Sequence, residues 1–309
     1  MLYLSTRNKA DSFTAYKVLH SADAPDGGMF VPMQLPVQND IALAAFERMS
    51  FGEAVARILN LFYGTKLSGW DVDFAVGRQA VDLVSMGSKV SVAESWHNPA
   101  GSHTYFEQRL YNLVTGDKFN THIPNTWFRV SVDIAVLFGI YGKLCRSGIF
   151  EFDAAVHTGN LQQLLAVRYA QKMGLPIRRV ILGCMEHDGL WDFLSYGDFT
   201  ASKKERNICF EALLWLEFSY EESVKYCDAA AKKATYRLSP LRLEQFRADT
   251  FGSVVGEYRV SQMIDSAAGA NRYRMETDTA RAFCSLQDYR AKSGENRNTL
   301  LIAKNAPVK

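Results

Sequence analysis

Between residues 149 and 182 the chain passes through an apolar segment (149–156), a Gly-bearing turn (His157-Thr158-Gly159-Asn160), a helix reaching Gln171 and Met173, and a second apolar segment (179–182). This succession is a βαβ unit, and its right-handed crossover makes the two strands parallel with the helix on one face. Parallel strands are covered on both faces, so the fold class is α/β: a mostly parallel, buried sheet flanked by helices.

Neighbouring segments supply the cover. Ser50 and Glu53 form an S-x-x-E capping box, in which a hydroxyl and a carboxylate satisfy amides that the first helical turn leaves orphaned. Phe51, Ala54, Val55, Ile58, Leu59 and Phe62 follow at helical spacing, and Gly64 ends the helix. From Trp127, residues Val130, Ile134, Leu137, Phe138 and Tyr141 share a helical face whose opposite side is also largely apolar, the pattern of a buried helix. More polar helical patterns cover residues 203–236, 241–248 and 278–291, and a strand pattern covers 299–303.

Composition excludes several classes. With 48% apolar residues, the 309-residue chain can bury enough surface to offset chain entropy, so disorder is not its main state. The 35 basic and 33 acidic residues nearly cancel, which gives no bulk-charge basis for binding nucleic acid or a membrane surface. No apolar run is long enough to span a bilayer, and the start of the chain lacks a signal-peptide pattern. Cys145, Cys184, Cys209, Cys227 and Cys284 are odd in number and widely spaced, so reduced, buried thiols in a cytoplasmic protein are expected.

Landmarks in order along the chain resemble the threonine synthase family, pyridoxal phosphate enzymes of the tryptophan-synthase-like fold (fold type II). Tyr3-Leu-Ser-Thr-Arg7 resembles the family's Tyr-x-Ser-Thr-Arg, and Ala24-Pro-Asp-Gly-Gly-Met-Phe-Val-Pro32 its Ala-Pro-Asp-Gly-Gly-Leu-Phe-Val-Pro. Trp96-His97-Asn98-Pro99 resembles Phe-His-Gly-Pro, and Asn125-Thr-Trp-Phe-Arg129 resembles Ser-Ile-Asn-Trp-Ala-Arg. Thr158-Gly159-Asn160 and Lys172-Met-Gly-Leu-Pro-Ile177 resemble the family's phosphate loop and the segment that follows it. The resemblance implies an N-terminal helical and loop module over residues 1–93 and a large α/β domain over 94–309. The family's small mobile domain would be largely deleted around 105–124.

The departures from the family pattern bear on function. Anchored on His97 and Pro99, the position of the cofactor lysine falls on Thr104, whose hydroxyl can neither form an imine nor shuttle a proton as an amine does. No lysine lies between Lys89 and Lys118. Loss of the small domain would remove the wall that excludes water and orients substrate. The phosphate loop keeps only Gly159, with Gln162 and Gln163 where the family has Phe and Gly. Lys304 falls near the place where the family sets a small hydroxyl residue beside the pyridine nitrogen, and a fixed cation there opposes a protonated ring.

Single positions leave alternatives open. Thr158, Gly159 and Asn160 form either a residual anion or phosphate loop or a plain helix cap. His97 and His103 are six residues apart in a segment read as a loop, with no third ligand evident, so no metal site is assigned. Lys118 lies in a polar turn that would not lower its pKa. Glu186-His187-Asp188 follows a strand and reads as a solvated loop, or as a site at a strand's carboxyl end. Trp96, Trp127, Trp191 and Trp215 read as core, with one or two exposed if the deleted domain once covered them.

The resulting expectation is a threonine synthase-like protein that has lost its chemistry and keeps a binding or regulatory role. It would need no cofactor, and would bind a protein partner, a second copy or a small anion, but neither nucleic acid nor membrane. The alternative is an enzyme: an active pyridoxal phosphate-dependent threonine synthase, or a crevice reused for other chemistry by His97, Asn98, His103, His157 and Glu186.

Overall fold

A computed structural model describes residues 1–200 and 207–307. It opens with β1 (Leu2–Ser5), β2 (Phe13–Thr14), α1 (Ala15–Leu19), β3 (Phe30–Pro32), α2 (Asp40–Phe46), α3 (Phe51–Tyr63) and α4 (Gly69–Val76). Next come β4 (Asp82–Ser85), β5 (Val90–Glu94), α5 (His103–Thr115), α6 (Thr126–Arg146), β6 (Phe152–His157), α7 (Leu161–Lys172) and β7 (Ile177–Cys184). The remainder is α8 (Gly189–Tyr196), β8 (Asp198–Thr200), α9 (Ile208–Glu217), α10 (Tyr220–Ala231), β9 (Thr235–Arg237), α11 (Pro240–Arg247), β10 (Thr250–Val254), α12 (Glu257–Asn271), α13 (Thr277–Ser293) and β11 (Thr299–Ala303).

The main sheet has the order β10-β7-β6-β11-β5-β4, parallel except for the antiparallel edge strand β4. The βαβ unit read from the sequence is β6-α7-β7, and the terminal strand β11 enters the middle of the sheet between β6 and β5. One core cluster joins α3, α6 and α7, and a second joins α12 and α13 to sheet residues such as Val92 and Leu301. The sheet is therefore buried on both faces, as parallel pairing requires.

The N-terminal segment shares the large core. Tyr3 donates its hydroxyl to the Phe62 carbonyl (2.7 Å), and its ring meets Trp127 edge-on. A division at residue 93 falls inside β5, which pairs with β11. The capping box at Ser50 and the left-handed Gly64 bound α3 as the sequence predicts. Thr6 and Arg7 tie the same segment to α9: Arg7 forks onto the fully buried Glu211 (3.0 and 2.9 Å), which also accepts the Thr6 hydroxyl.

Three sequence expectations change. Residues 103–115 form a helix, α5, which buries Phe106, Leu110 and Tyr111, so His103, read from the sequence as a loop residue, opens a helix. The helical region read over 203–236 is two helices followed by β9. The chain breaks between α9 and α10 where Ser219 caps the second, and Lys203-Lys204-Glu205-Arg206 lie outside the described residues. Helix α12 was missed, because its apolar positions are sparse and face only the second core cluster.

Candidate functional site

Parallel strands end on one edge of the sheet, and a crevice outside their carboxyl ends is the usual ligand position in open α/β folds. Here that edge carries a cleft of about 330 Å³. It lies between the start of α5, the start of α7, the start of α13 and the segment after β11, and Thr104, Asn160, Glu276 and Lys304 are among its lining residues. The His103 amide donates to the Lys304 carbonyl (2.8 Å), so the start of α5 is held against the end of β11.

The base of the cleft is a buried charge network. Asp133 on α6 accepts from Lys304 Nζ (2.7 Å), Gln162 Nε2 (2.8 Å) and His103 Nε2 (2.8 Å). Burial alone would raise the Asp133 pKa, but Lys304 and His103 hold it well below the usual carboxylate range. Glu107, one turn after His103, accepts from Arg129 (2.6 Å) and Gln162 (3.1 Å). Gln162 thus reaches across the cleft and spans both carboxylates. His103, Glu107 and Asp133 offer ligand-type atoms within 4.8 Å of one another, but Lys304 and Arg129 already supply the cations that a metal would bring.

At the mouth, Glu276 and Asp278 flank the start of α13, with His157 at the end of β6. Burial, with Asp278 beside it, pushes Glu276 up to about 7. Burial pushes His157 below its usual value, although Asp278 lies 3.3 Å from its Nδ1.

The phosphate-loop candidates separate. Thr158 bonds to Asp188 and to the Gly183 carbonyl, which turns it toward β7 and α8. Asn160 is the helix cap: its side chain accepts from the Gln163 amide (3.1 Å), so one amide at that helix end is already used. Gly159 is a close approach, since a Cβ there would lie 3.1 Å from His157 Nδ1. Gln163 is 3% exposed and its Nε2 has no hydrogen-bond partner.

The other sequence candidates lie apart. His97 stacks on Trp96 and donates to Glu94 (2.6 Å), which also accepts from Tyr273 (2.6 Å). Asn98 shapes its own loop, donating to the Ser102 carbonyl (2.8 Å). Glu186 is exposed in the loop after β7. Lys118 is exposed. His103 is no loop residue but the buried first position of α5, and its companions are Glu107 and Asp133 rather than His97. Trp127 is fully buried, and Trp191 and Trp215 pack partly buried against the core. Sequence reasoning missed Glu107, Asp133, Glu276 and Asp278. The available signals were an aspartate inside an apolar helix, which needs a buried partner, and the His-x-x-x-Glu spacing of neighbours on a helix.

Comparisons with known proteins agree with this architecture. Residues 2–77 match the family model described as threonine synthase N terminus. Over 106 residues the chain is 32% identical to threonine synthase-like 2 of Homo sapiens and of Pongo abelii, a stretch that covers 31% of this chain and 22% of each relative. Threonine synthase from yeast superposes with a TM-score of 0.80 at 17% identity, over 99% of this chain and 87% of that one. The pyridoxal phosphate-bound threonine synthase from Brucella melitensis superposes with a TM-score of 0.81 at 15% identity, over 99% and 89%. At such identities the structural likeness establishes the fold. Among the described residues no helix is long and apolar enough to cross a membrane.

Proposed function

We propose that the chain, whose residues 2–77 match the threonine synthase N-terminal model and whose fold is that of threonine synthases, is a threonine synthase-like protein that has given up pyridoxal phosphate catalysis and keeps a binding role. One observation carries the reading. Thr104, onto which the motif resemblance puts the cofactor lysine, lines the cleft, and the amine that does line the cleft, Lys304, is bound to the buried Asp133. An ammonium held by a carboxylate in this way is not the neutral amine that carbonyl attack needs.

The residues do not fit the cofactor in other respects. A phosphate ester needs unspent donors, yet Thr158 is bonded to Asp188 and Asn160 to its own helix. Glu276 and Asp278 add negative charge at the mouth. Gln162 occupies the space between α5 and α6.

The binding role extends to a protein partner or a second copy. Trp70 and Phe74 on α4 are stacked at 5.3 Å and remain 65% and 74% exposed, and α4 packs on α5, the helix that stands where the family's small domain would begin. The five buried thiols favour a reducing compartment, the cytoplasm.

Incubation with pyridoxal phosphate, borohydride reduction and peptide mapping test the reading. The expected result is no modified lysine in the cleft. A reduced adduct on Lys304 would overturn it.

A further inference from the structure

The charges around the cleft do not balance evenly. Asp133 is paired with Lys304 and His103, and Glu107 with Arg129. Among the described residues neither Glu276 nor Asp278 is ion-paired with a lysine or arginine, while the cleft's Lys304 and Arg129 are held by Asp133 and Glu107. His157 Nδ1 lies 3.3 Å from Asp278, and burial favours its neutral form. Tyr273, just before α13, gives its hydroxyl to Glu94 and offers them no charge. Two carboxyl groups thus face the cleft from the start of α13, and Glu276 is held by its own helix start, through the Thr279 hydroxyl (3.1 Å) and the backbone amides of Asp278 and Thr279.

A second, independent feature lies in the same cleft. Gln163 is buried, and its Nε2 donor is unsatisfied. An orphaned buried amide is destabilising, and a ligand oxygen would relieve it. The two features call for opposite ends of one molecule: a cation for the carboxylates and an acceptor for the amide.

We propose that this cleft binds a small organic cation, a primary amine that also carries a hydroxyl or carbonyl oxygen, with its ammonium at Glu276 and Asp278 and its oxygen on the Gln163 amide. A phosphate anion is disfavoured by the same two carboxylates. The inference rests on the reading that the cleft no longer takes pyridoxal phosphate, since both could not occupy it.

The test is calorimetric titration of the full chain with ω-amino alcohols from ethanolamine to aminopentanol, the matching diols, and inorganic phosphate. At least one amino alcohol should bind, and its diol and phosphate should not. Affinity should rise as pH is raised through about 7, because Glu276 becomes a carboxylate there while the amine stays protonated. Glu276→Gln and Asp278→Asn should each weaken binding about tenfold or more. Gln163→Leu should weaken the amino alcohols but not the corresponding alkylamines. Circular dichroism establishes that each variant is folded, and Asp278→Asn, at a half-exposed position, serves if Glu276→Gln is not.

Binding of phosphate in preference to every amine would overturn the proposal, as would absence of binding across the amine series. Either result leaves the loss of catalysis standing. A borohydride-trapped lysine would instead sink the functional reading, so the two failures are distinguishable.

Discussion

Lys304 Nζ lies 2.7 Å from Asp133 Oδ2, so the amine after the central strand and the carboxylate of the buried helix close the floor of the cleft as one ion pair. His103 takes the other carboxylate oxygen at 2.8 Å. Asp133 is thus satisfied from two directions, and removing either partner strands a buried charge.

Lys304→Met is expected to lower stability by about 3 kcal/mol, the cost of leaving a buried carboxylate without its cation. The double variant Lys304→Met/Asp133→Leu should recover most of the loss, because paired deletion leaves no orphan. Urea denaturation measures both. The folded-state pKa of Asp133 is depressed, so its contribution is complete above the unfolded value near pH ~4 and is lost as pH falls below it. The wild-type protein should therefore lose more stability on acidification than the double variant.

The Arg7–Glu211 fork predicts a second coupled pair. Glu211 is fully buried and receives Arg7 and Thr6. Glu211→Ala or Arg7→Ala should each cost about 3 kcal/mol, and the double variant much less than the sum. A double-mutant cycle in urea checks the coupling. If the two losses simply add, the N-terminal segment is not docked on α9 through this pair.

Two helical glycines give opposite expectations. At Gly142 on α6, a Cβ would lie 2.5 Å from the Phe46 carbonyl oxygen, where backbone has to move. At Gly269 on α12 no heavy atom lies within 4 Å. Gly142→Ala should therefore destabilise by about 2 kcal/mol through overpacking. Gly269→Ala should stabilise by up to about 1 kcal/mol through helix propensity. Denaturation midpoints of the two variants, compared side by side, decide the matter.

Local chemistry was legible in the sequence wherever it was self-contained. The Ser50–Glu53 box, the Gly64 stop, the buried α6 and the β6-α7-β7 unit are written in short-range spacing, and all stand in the structure. What could not be read was who meets whom across the chain. Lys304 and Asp133 are 171 residues apart, and only the insertion of β11 between β6 and β5 brings them together. For the same reason His103 was misplaced. Its helix begins just after a polar loop, and a single buried face on α5 was too weak a pattern to announce it. The sequence left Asn160 open as anion loop or helix cap and the structure makes it a cap, whereas Thr158 was drawn away by Asp188, thirty residues downstream.

All five cysteines are buried, and burial pushes the Cys184 and Cys209 thiols up to about 12. Thiolate is the reactive form, so none should react with Ellman's reagent in the native protein. Labelling should appear only with unfolding and follow its rate in urea. A stoichiometric fast phase without denaturant would contradict the buried placement.

Glu276 gives the chain a pH dependence opposite to that of Asp133. Its folded-state pKa is raised to about 7 by burial and by Asp278, above the unfolded value. The folded state therefore holds a proton that the unfolded state has released, and stability falls as pH rises from about 4.5 to about 7, then levels off. Glutamine mimics the protonated acid at every pH. Glu276→Gln should match the wild-type protein near pH 4 and exceed it by about 3 kcal/mol at pH 8, as measured by urea unfolding at the two pH values. Saturation with an amino alcohol should narrow that gap for the wild-type protein alone, because an ammonium at Glu276 compensates the charge that the variant has removed. A pH-independent difference between the two proteins would mean that the Glu276 carboxyl titrates as it does in water, and the mouth of the cleft would then lack the desolvated negative charge that an amine requires.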